Sequence, residues 1–287
     1  MLTRLDAPIL LDRAARFQSA SPRPFVRWAG SKRSLLRHIV PALPQKCARY
    51  YEPFVGSGSL YFLLSPNSAV LNDANRELIS TYRAVRDGPR SVLAAYKKYD
   101  VLDKQQYYSV RDAIPPKNRF ERGARFLYLN RACWNGLYRV NQSGKFNVPY
   151  GAPKSSSELD ESNLRSCSKL LKGDVTLTQQ DFSKAFDDAG DGDLVYLDPP
   201  YVTTHNQNGF LDYNKRIFSW NDQVRLAKHA RQAVENGAWV IVSNANHHDV
   251  RELYRDFNQA TLTRRSTLAS SNLARSSVSE ALFWSGE

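Results

Sequence analysis

Four short apolar runs, each closed by polar residues or proline, most constrain how this chain can fold. Tyr50–Tyr51 precedes Glu52-Pro53, and Ala69–Leu71 precedes Asn72-Asp73. Leu194–Leu197 precedes Asp198-Pro199, and Val240–Val242 precedes Ser243-Asn244. Runs this short, bounded by turn and breaker residues, read as buried strands. Between them lie stretches with helical spacing. In "ANRELISTYRAV", Leu78, Ile79, Tyr82 and Val85 share one face. "SWNDQVRLAKHARQAVENG" opens on a capping Ser219 with Asp222 three residues on and closes at Gly237. Strands alternating with helices predict an α/β fold with a mostly parallel sheet covered on both faces.

The expected strands are "CARYYEPF", "SAVLND", "DVTLTQQDF", "DLVYLDPPY" and "AWVIVSNAN", with "TLTRRSTL" and "SEALFW" closing the sheet. "HDVRELYRDF" reads as a further helix. The alternation is interrupted between Glu77 and Asn163 by a block that is helical, aromatic and basic, broken at Pro115-Pro116. Within it, "GLYRVNQSGKFNVPYG" reads as a hairpin turning at Asn141–Gly144. The expected organisation is an extension over 1–24, an α/β domain in two pieces (25–76 and 164–287), and an inserted domain over 77–163.

Charge narrows the partner. The chain carries 40 Lys and Arg against 28 Asp and Glu, a net +12. That excess points to a polyanion, nucleic acid before an anionic membrane surface. From Lys117 to Lys154 there are eight Lys/Arg and one acid, Glu121, so +7 of the +12 sits in 38 residues among aromatics. A phosphate-tracking, base-reading surface needs that combination. Cys47, Cys133 and Cys167 lack metal-like or paired spacing and read as reduced cytosolic thiols. His247-His248 lack a third ligand at useful spacing, so no metal is expected. No apolar run approaches the roughly 20 residues of a spanning helix, and no signal peptide is expected.

Two features carry chemistry. "EPFVGSG" puts Phe54, Gly56 and Gly58 at a strand-to-helix turn, where glycines admit a ligand to the backbone and free N–H groups suit a phosphate or carboxylate. Asp73 ends the next strand, where an acid accepts from ribose hydroxyls in nucleotide-binding sheets. "DPPY", Asp198-Pro199-Pro200-Tyr201, ends a later strand on the same carboxyl edge. A carboxylate and a proline carbonyl are two acceptors and an exocyclic amine is two donors, while Tyr201 offers a stacking face. Adenine N6 and cytosine N4 both match. A base inside a duplex must be flipped out to reach such a site.

In their order, "FVRWAGSKRSLL", "EPFVGSGS" with "LND", "FLYLNRACWNGLYRVNQSGKFNVPYG" and "VYLDPPY" resemble the Dam-type DNA N6-adenine methyltransferases. These are α-group amino-methyltransferases that use S-adenosyl-L-methionine. A weaker match runs through "VSNAN" to "RRSTLASSN" and "SEALFW", so the resemblance extends from about Phe25 onward. It implies a Rossmann-like methyltransferase sheet with an inserted helical and β-hairpin target-recognition domain. Trp28, Gly30 and Lys32 would hold the cofactor, chiefly its methionine end. Phe54, Gly56 and Gly58 would line its pocket, Asp73 would bind its ribose, Asp181 and Phe182 its adenine, and Asp198 would face it too. Asp198, Pro199, Pro200 and Tyr201 would grip the flipped adenine.

The resemblance also implies a DNA face. Trp134 and Asn135 would take the family's aromatic-Asn-Gly position, the aromatic helping to occupy the gap left by the flipped base or stacking on the target pair, with Arg131 and Asn147 on the same stretch. Arg139 and Arg27 would reach guanines, and Leu137 and Pro149 a thymine methyl. Double-stranded DNA would be the partner, GATC the implied target, and the enzyme a monomer in the cytosol. Two departures stand out: Ala152, where relatives often have Arg, and Ser31, where Gly is common. An enzyme acting on RNA or on cytosine N4, and a DNA-binding regulator on an inactive fold, remain alternatives at this point.

Overall fold

A computed structural model describes residues 21–156, 158–202, 218–265 and 277–286. Seven strands form one sheet: β1 (Tyr50–Glu52), β2 (Ser68–Asn72), β3 (Asp174–Thr178), β4 (Leu194–Leu197), β5 (Trp239–Ala245), β6 (Asn258–Arg265) and β7 (Ser277–Trp284). Their order is β3-β2-β1-β4-β5-β7-β6. Strands β1 to β5 run parallel, while β7 is antiparallel to both β5 and β6. The strand order reverses between β1 and β4, so the carboxyl ends of those two strands flank the switch point where ligands of open α/β sheets bind.

The apolar runs are continuous because both faces are covered. Leu194 and Tyr196 of β4 pack with Ile241 of β5 on one face, in a core that includes Leu60, Leu78 and Tyr82. Val195 and Leu197 pack with Val240 and Val242 on the other, against Leu226, Ala227 and Ala230. The helices are α1 (Leu36–Ile39), α2 (Ser59–Leu64), α3 (Arg76–Asp87), α4 (Pro89–Tyr96), α5 (Lys104–Asp112), α6 (Arg119–Ala132), α7 (Glu161–Leu171), α8 (Trp220–Glu235) and α9 (His248–Leu253).

Local signals hold closely at α8. Ser219 accepts from the Asp222 N–H and Asp222 accepts from the Ser219 N–H, a complete capping box. At the other end, Gly237 (φ +94°) donates to Val234 O and Ala238 donates to Ala233 O, a Schellman closure.

Several expectations are corrected. Strand β1 spans only three residues, because Pro53 cannot continue a ladder. Strand β3 stops at Thr178, and Asp181 instead caps a short 3-10 turn, Phe182–Ala185, by accepting from Ser183 N. The predicted hairpin forms but is short: Val140 bridges Phe146, Asn141 N donates to Lys145 O and Asn147 N to Arg139 O, while Cys133 ahead of it bridges Tyr150. Its turn forms as expected, with Gly144 N donating to Asn141 O. The Asn141 Oδ1 also accepts from Ser143 N, Ser143 Oγ and Lys145 N, taking backbone donors the ladder would need. Strand β6 begins three residues before "TLTRRSTL", at Asn258, where it pairs with Trp284. Residues 266–268 of that stretch, and the extension through residue 20, lie outside the described residues.

The helical block shares its core with the sheet. Leu127 and Tyr128 of α6 belong to the same buried cluster as Tyr82 of α3 and Phe62 of α2. The expected boundary at 76/77 falls on the first residue of α3.

Candidate active site at the sheet switch point

Strand β4 delivers Asp198 to the carboxyl edge. Its Oδ1 accepts from Lys32 Nζ at 2.7 Å and from Ser243 Oγ at 2.9 Å. Ser243, at the corresponding height on β5, is held in turn by Tyr196 OH at 3.0 Å. Both contacts fall on one oxygen, leaving Oδ2 without a partner among the described residues. Lys32 is only 5% exposed, and its ammonium also donates to Gly30 O at 2.8 Å. Burial pushes the Asp198 carboxyl pKa up, opposed by the Lys32 ammonium and the Ser243 hydroxyl.

Tyr201 stands three residues on, half-buried, with Lys32 Nζ 4.8 Å from its ring centroid. Its hydroxyl donates to Glu280 Oε2 at 2.6 Å. Burial first, then the Asp198 and Glu280 carboxylates, hold that hydroxyl well above its ordinary pKa, so it remains a donor. Pro199 is buried, and the Pro200 carbonyl is approached by Gln223 Nε2 at 3.5 Å.

A second group of residues lies at the ends of β1 and β2. Asp73 accepts from Gly56 N at 3.1 Å and from Asn75 N at 2.9 Å, which fixes both carboxylate oxygens. Desolvation outweighs those two bonds and raises its pKa to about 6. Gly56 has φ +46°, and a Cβ there would lie 2.7 Å from Trp28 Cδ1, so only glycine fits beneath that indole. Gly58 has φ +65°, and a Cβ there would lie 2.9 Å from Tyr82 OH. The Trp28 ring also stacks on Tyr138, with centroids 5.9 Å apart, linking this turn to the hairpin.

Phe54 and Phe182 face each other at 5.4 Å, and Phe218 completes an aromatic trio at 5.6 Å from each. Arg225 lies 4.4 Å over Phe182 and grips both oxygens of Asp181, at 2.9 and 2.8 Å. Buried Asn72 ties these parts together. Its Nδ2 donates to Pro53 O and Gln180 O, and its Oδ1 accepts from Thr178 Oγ1 and Gln180 N.

On the basic block, Trp134 is 40% exposed, and Asn135 beside it adopts φ +52°. Arg139 is exposed, with Nε donating to Asn147 Oδ1 at 2.8 Å and Nη2 to Asn147 O at 3.2 Å. Arg27 is exposed and Arg131 half-buried; the Arg131 guanidinium reaches Phe25 O at 3.4 Å. Pro149 is exposed, but Leu137 is buried at 7%. Leu137 packs in the main core, so the structure does not present it on the surface as the expected thymine contact requires. Buried Asn130 accepts from Arg27 N and donates to Arg27 O and Gly136 O, clipping Arg27 to the Trp134–Gly136 turn.

Sequence reasoning therefore missed Ser243, Glu280, Asn72, Phe218, Arg225 and Asn130. A charged residue inside the apolar run "SEALFW" was the available signal for Glu280. Phe218, next to the Ser219 cap, carried none. Among the described residues no group of three His, Cys, Asp or Glu is placed to hold a metal ion. His247 instead caps α9, accepting from Asp249 N. The three cysteines are buried, their thiols pushed up to about 12 by desolvation.

The family model for "D12 class N6 adenine-specific DNA methyltransferase" matches residues 28–268. The chain is 38% identical over 267 residues to the Type II methyltransferase M1.LlaDCHI of Lactococcus lactis subsp. cremoris, covering 91% of this chain and 94% of that one. It is 36% identical over 259 residues to the Type II methyltransferase M.MjaIII of Methanocaldococcus jannaschii, covering 82% and 89%. It is 31% identical over 265 residues to the DNA adenine methylase of Escherichia coli K12, covering 91% and 94%. With the family model matched over residues 28–268 and relatives matched over nearly their full length, the chain belongs to the D12 class N6 adenine-specific DNA methyltransferases.

Proposed function

We propose that the enzyme moves a methyl group from S-adenosyl-L-methionine to N6 of an adenine flipped out of double-stranded DNA, with GATC as the target. The observation that carries this reading is the held carboxylate of Asp198. With Oδ1 tied to Lys32 and Ser243, Oδ2 is the acceptor left to take a base amine.

The residues at the ends of β1 and β2 fit the cofactor. The Asp73 carboxylate suits ribose hydroxyls, and the Phe54–Phe182 pair, beside Asp181, suits a flat adenine. Trp28 and Gly30, with the Gly56 and Gly58 turn packed under Trp28 and Tyr82, would take the cofactor's methionine end. The bound cofactor supplies an electrophilic methyl on sulfur.

The chain's own residues do the rest by placement. Asp198 and the Pro199 carbonyl accept the two N6 hydrogens, which favours a pyramidal nitrogen with its lone pair directed out of the ring plane. Tyr201 stacks on the base. As N6 gains the methyl it must lose one proton, and Asp198 is the adjacent acceptor.

The exposed arginines Arg27 and Arg139, with Trp134, Asn135, Asn147 and Pro149, form the DNA face, and Arg131 supports it from a half-buried position. No described helix is long and apolar enough to cross a membrane. We read the enzyme as a cytosolic monomer. Labelled S-adenosyl-L-methionine, duplexes with and without GATC, and nucleoside analysis test the whole reading. N6-methyladenine confined to GATC duplexes is the expected product. N4-methylcytosine, or no methylated base, would overturn the reading.

A further inference from the structure

Glu280 sits where an apolar residue would be cheaper. It lies on β7, opposite Ala245 of β5 and Leu262 of β6, and is followed by the buried Ala281, Leu282 and Phe283. Its own exposure is 1%. A carboxylate so placed costs free energy unless it is paired and hydrogen-bonded. Two of its partners lie in the active site. Tyr201 OH is 2.6 Å away, and Lys32 Nζ is 3.8 Å away while lying 2.7 Å from Asp198. One ammonium thus lies between two carboxylates, and Tyr201 closes the ring from Glu280 back toward Asp198.

We infer that Glu280 is a positioning residue for methyl transfer, anchoring the far end of the Tyr201 ring and sharing the Lys32 ammonium with Asp198. The inference rests on the reading of Asp198 and Tyr201 as the clamp for the target base. Tyr201 follows two prolines that stiffen its backbone end. Glu280 fixes the opposite end, the phenolic oxygen. A ring held at both ends offers its face in one orientation, so little ordering remains for when the base arrives. A charge-assisted O–H···O⁻ bond of this length is the strong kind.

The test is a double-mutant cycle on the full-length enzyme with a GATC duplex and S-adenosyl-L-methionine. Tyr201→Phe keeps the ring and removes only the anchored oxygen. Glu280→Gln keeps the shape and removes the charge. Each should lower kcat by about tenfold, the scale of one charge-assisted hydrogen bond. The KM for DNA and the affinity for S-adenosyl-L-methionine should stay within about threefold of wild type. The double variant should be no slower than the slower single one, because both changes act on the same charge-assisted hydrogen bond. A purely structural Glu280 would instead lower the melting temperature and cofactor affinity together, with effects that add to those of Tyr201→Phe. That additivity, or a wild-type kcat in Tyr201→Phe, would overturn the inference. If Glu280→Gln does not fold, Tyr201→Phe alone decides. Asp198→Ala separates the two levels. If it stays active, the clamp reading itself fails. If it is inactive while Tyr201→Phe turns over normally, only the role of Glu280 fails.

Discussion

Lys32 Nζ lies 2.7 Å from Asp198 Oδ1, in a site where the lysine is almost completely buried. The two residues are far apart in sequence: Lys32 opens the short turn Lys32–Leu35 ahead of β1, and Asp198 follows β4. The Lys32 ammonium opposes the burial that pushes the Asp198 carboxyl pKa up. Replacing Lys32 by Met removes the counter-charge while burial still raises the Asp198 pKa. The acid limb of the kcat–pH profile should move to higher pH, because the carboxylate form accepts the amine. Stability should fall by about 3–5 kcal/mol, the usual cost of breaking a buried pair, measured by denaturant melts. An unmoved acid limb would remove Lys32 from this role.

Asp73 supplies a second pH dependence. Its pKa is raised to about 6, so the acceptor form is complete above that value and lost as pH falls through it. Affinity for S-adenosyl-L-methionine, measured by calorimetry between pH 5 and 8, should weaken on the acid side of about 6. Folding stability from this group runs the other way. A carboxyl raised from 3.8 to about 6 takes up its proton more readily when folded, so its contribution grows as pH drops from about 6 toward 3.8. Affinity flat through this range would exclude Asp73 as the ribose acceptor.

Gly56→Ala should impair the cofactor site selectively. The added carbon meets Trp28 at 2.7 Å on a backbone already at φ +46°. The strain is about 1–3 kcal/mol and displaces the indole. Cofactor affinity should drop about tenfold or more, while DNA affinity by fluorescence anisotropy changes little.

Asn72→Leu should be among the more damaging single changes. It removes four hydrogen bonds joining β1, β3 and the Gln180 turn. Each buried group left unpaired costs about 1–3 kcal/mol. A loss of about 3 kcal/mol or more is expected in chemical denaturation, with weaker cofactor binding because Phe54 and Phe182 lose their common tether. A variant with wild-type melting and affinity would show that the tether is dispensable.

Arg139→Ala should relax discrimination at one guanine by about 1–3 kcal/mol, read from methylation rates on single-base variants of GATC. Its guanidinium is already oriented by two bonds to Asn147. Asn147→Ala should therefore weaken the same discrimination to a smaller degree. Equal loss on every duplex would mean a phosphate contact instead.

Much of the molecule follows from the sequence alone. The buried strands were legible because a run covered on both faces must be apolar throughout, as at Leu194–Leu197. The ends of α8 were legible because capping is decided within a few residues, as at Ser219, Asp222 and Gly237. Gly56, Asp73 and the Asp198–Tyr201 edge stood out because strand-end chemistry is local. The hairpin was legible from its turn residues, and its ladder is short because the Asn141 side chain takes the Lys145 N–H. What only the tertiary structure decided is how distant groups share buried charge. Lys32 stands between Asp198 and Glu280, Asp181 is bridged by Arg225, and Leu137 lies in the core. Such pairings depend on which strands become neighbours. The desolvation that makes them necessary exists only once the sheet has closed around them.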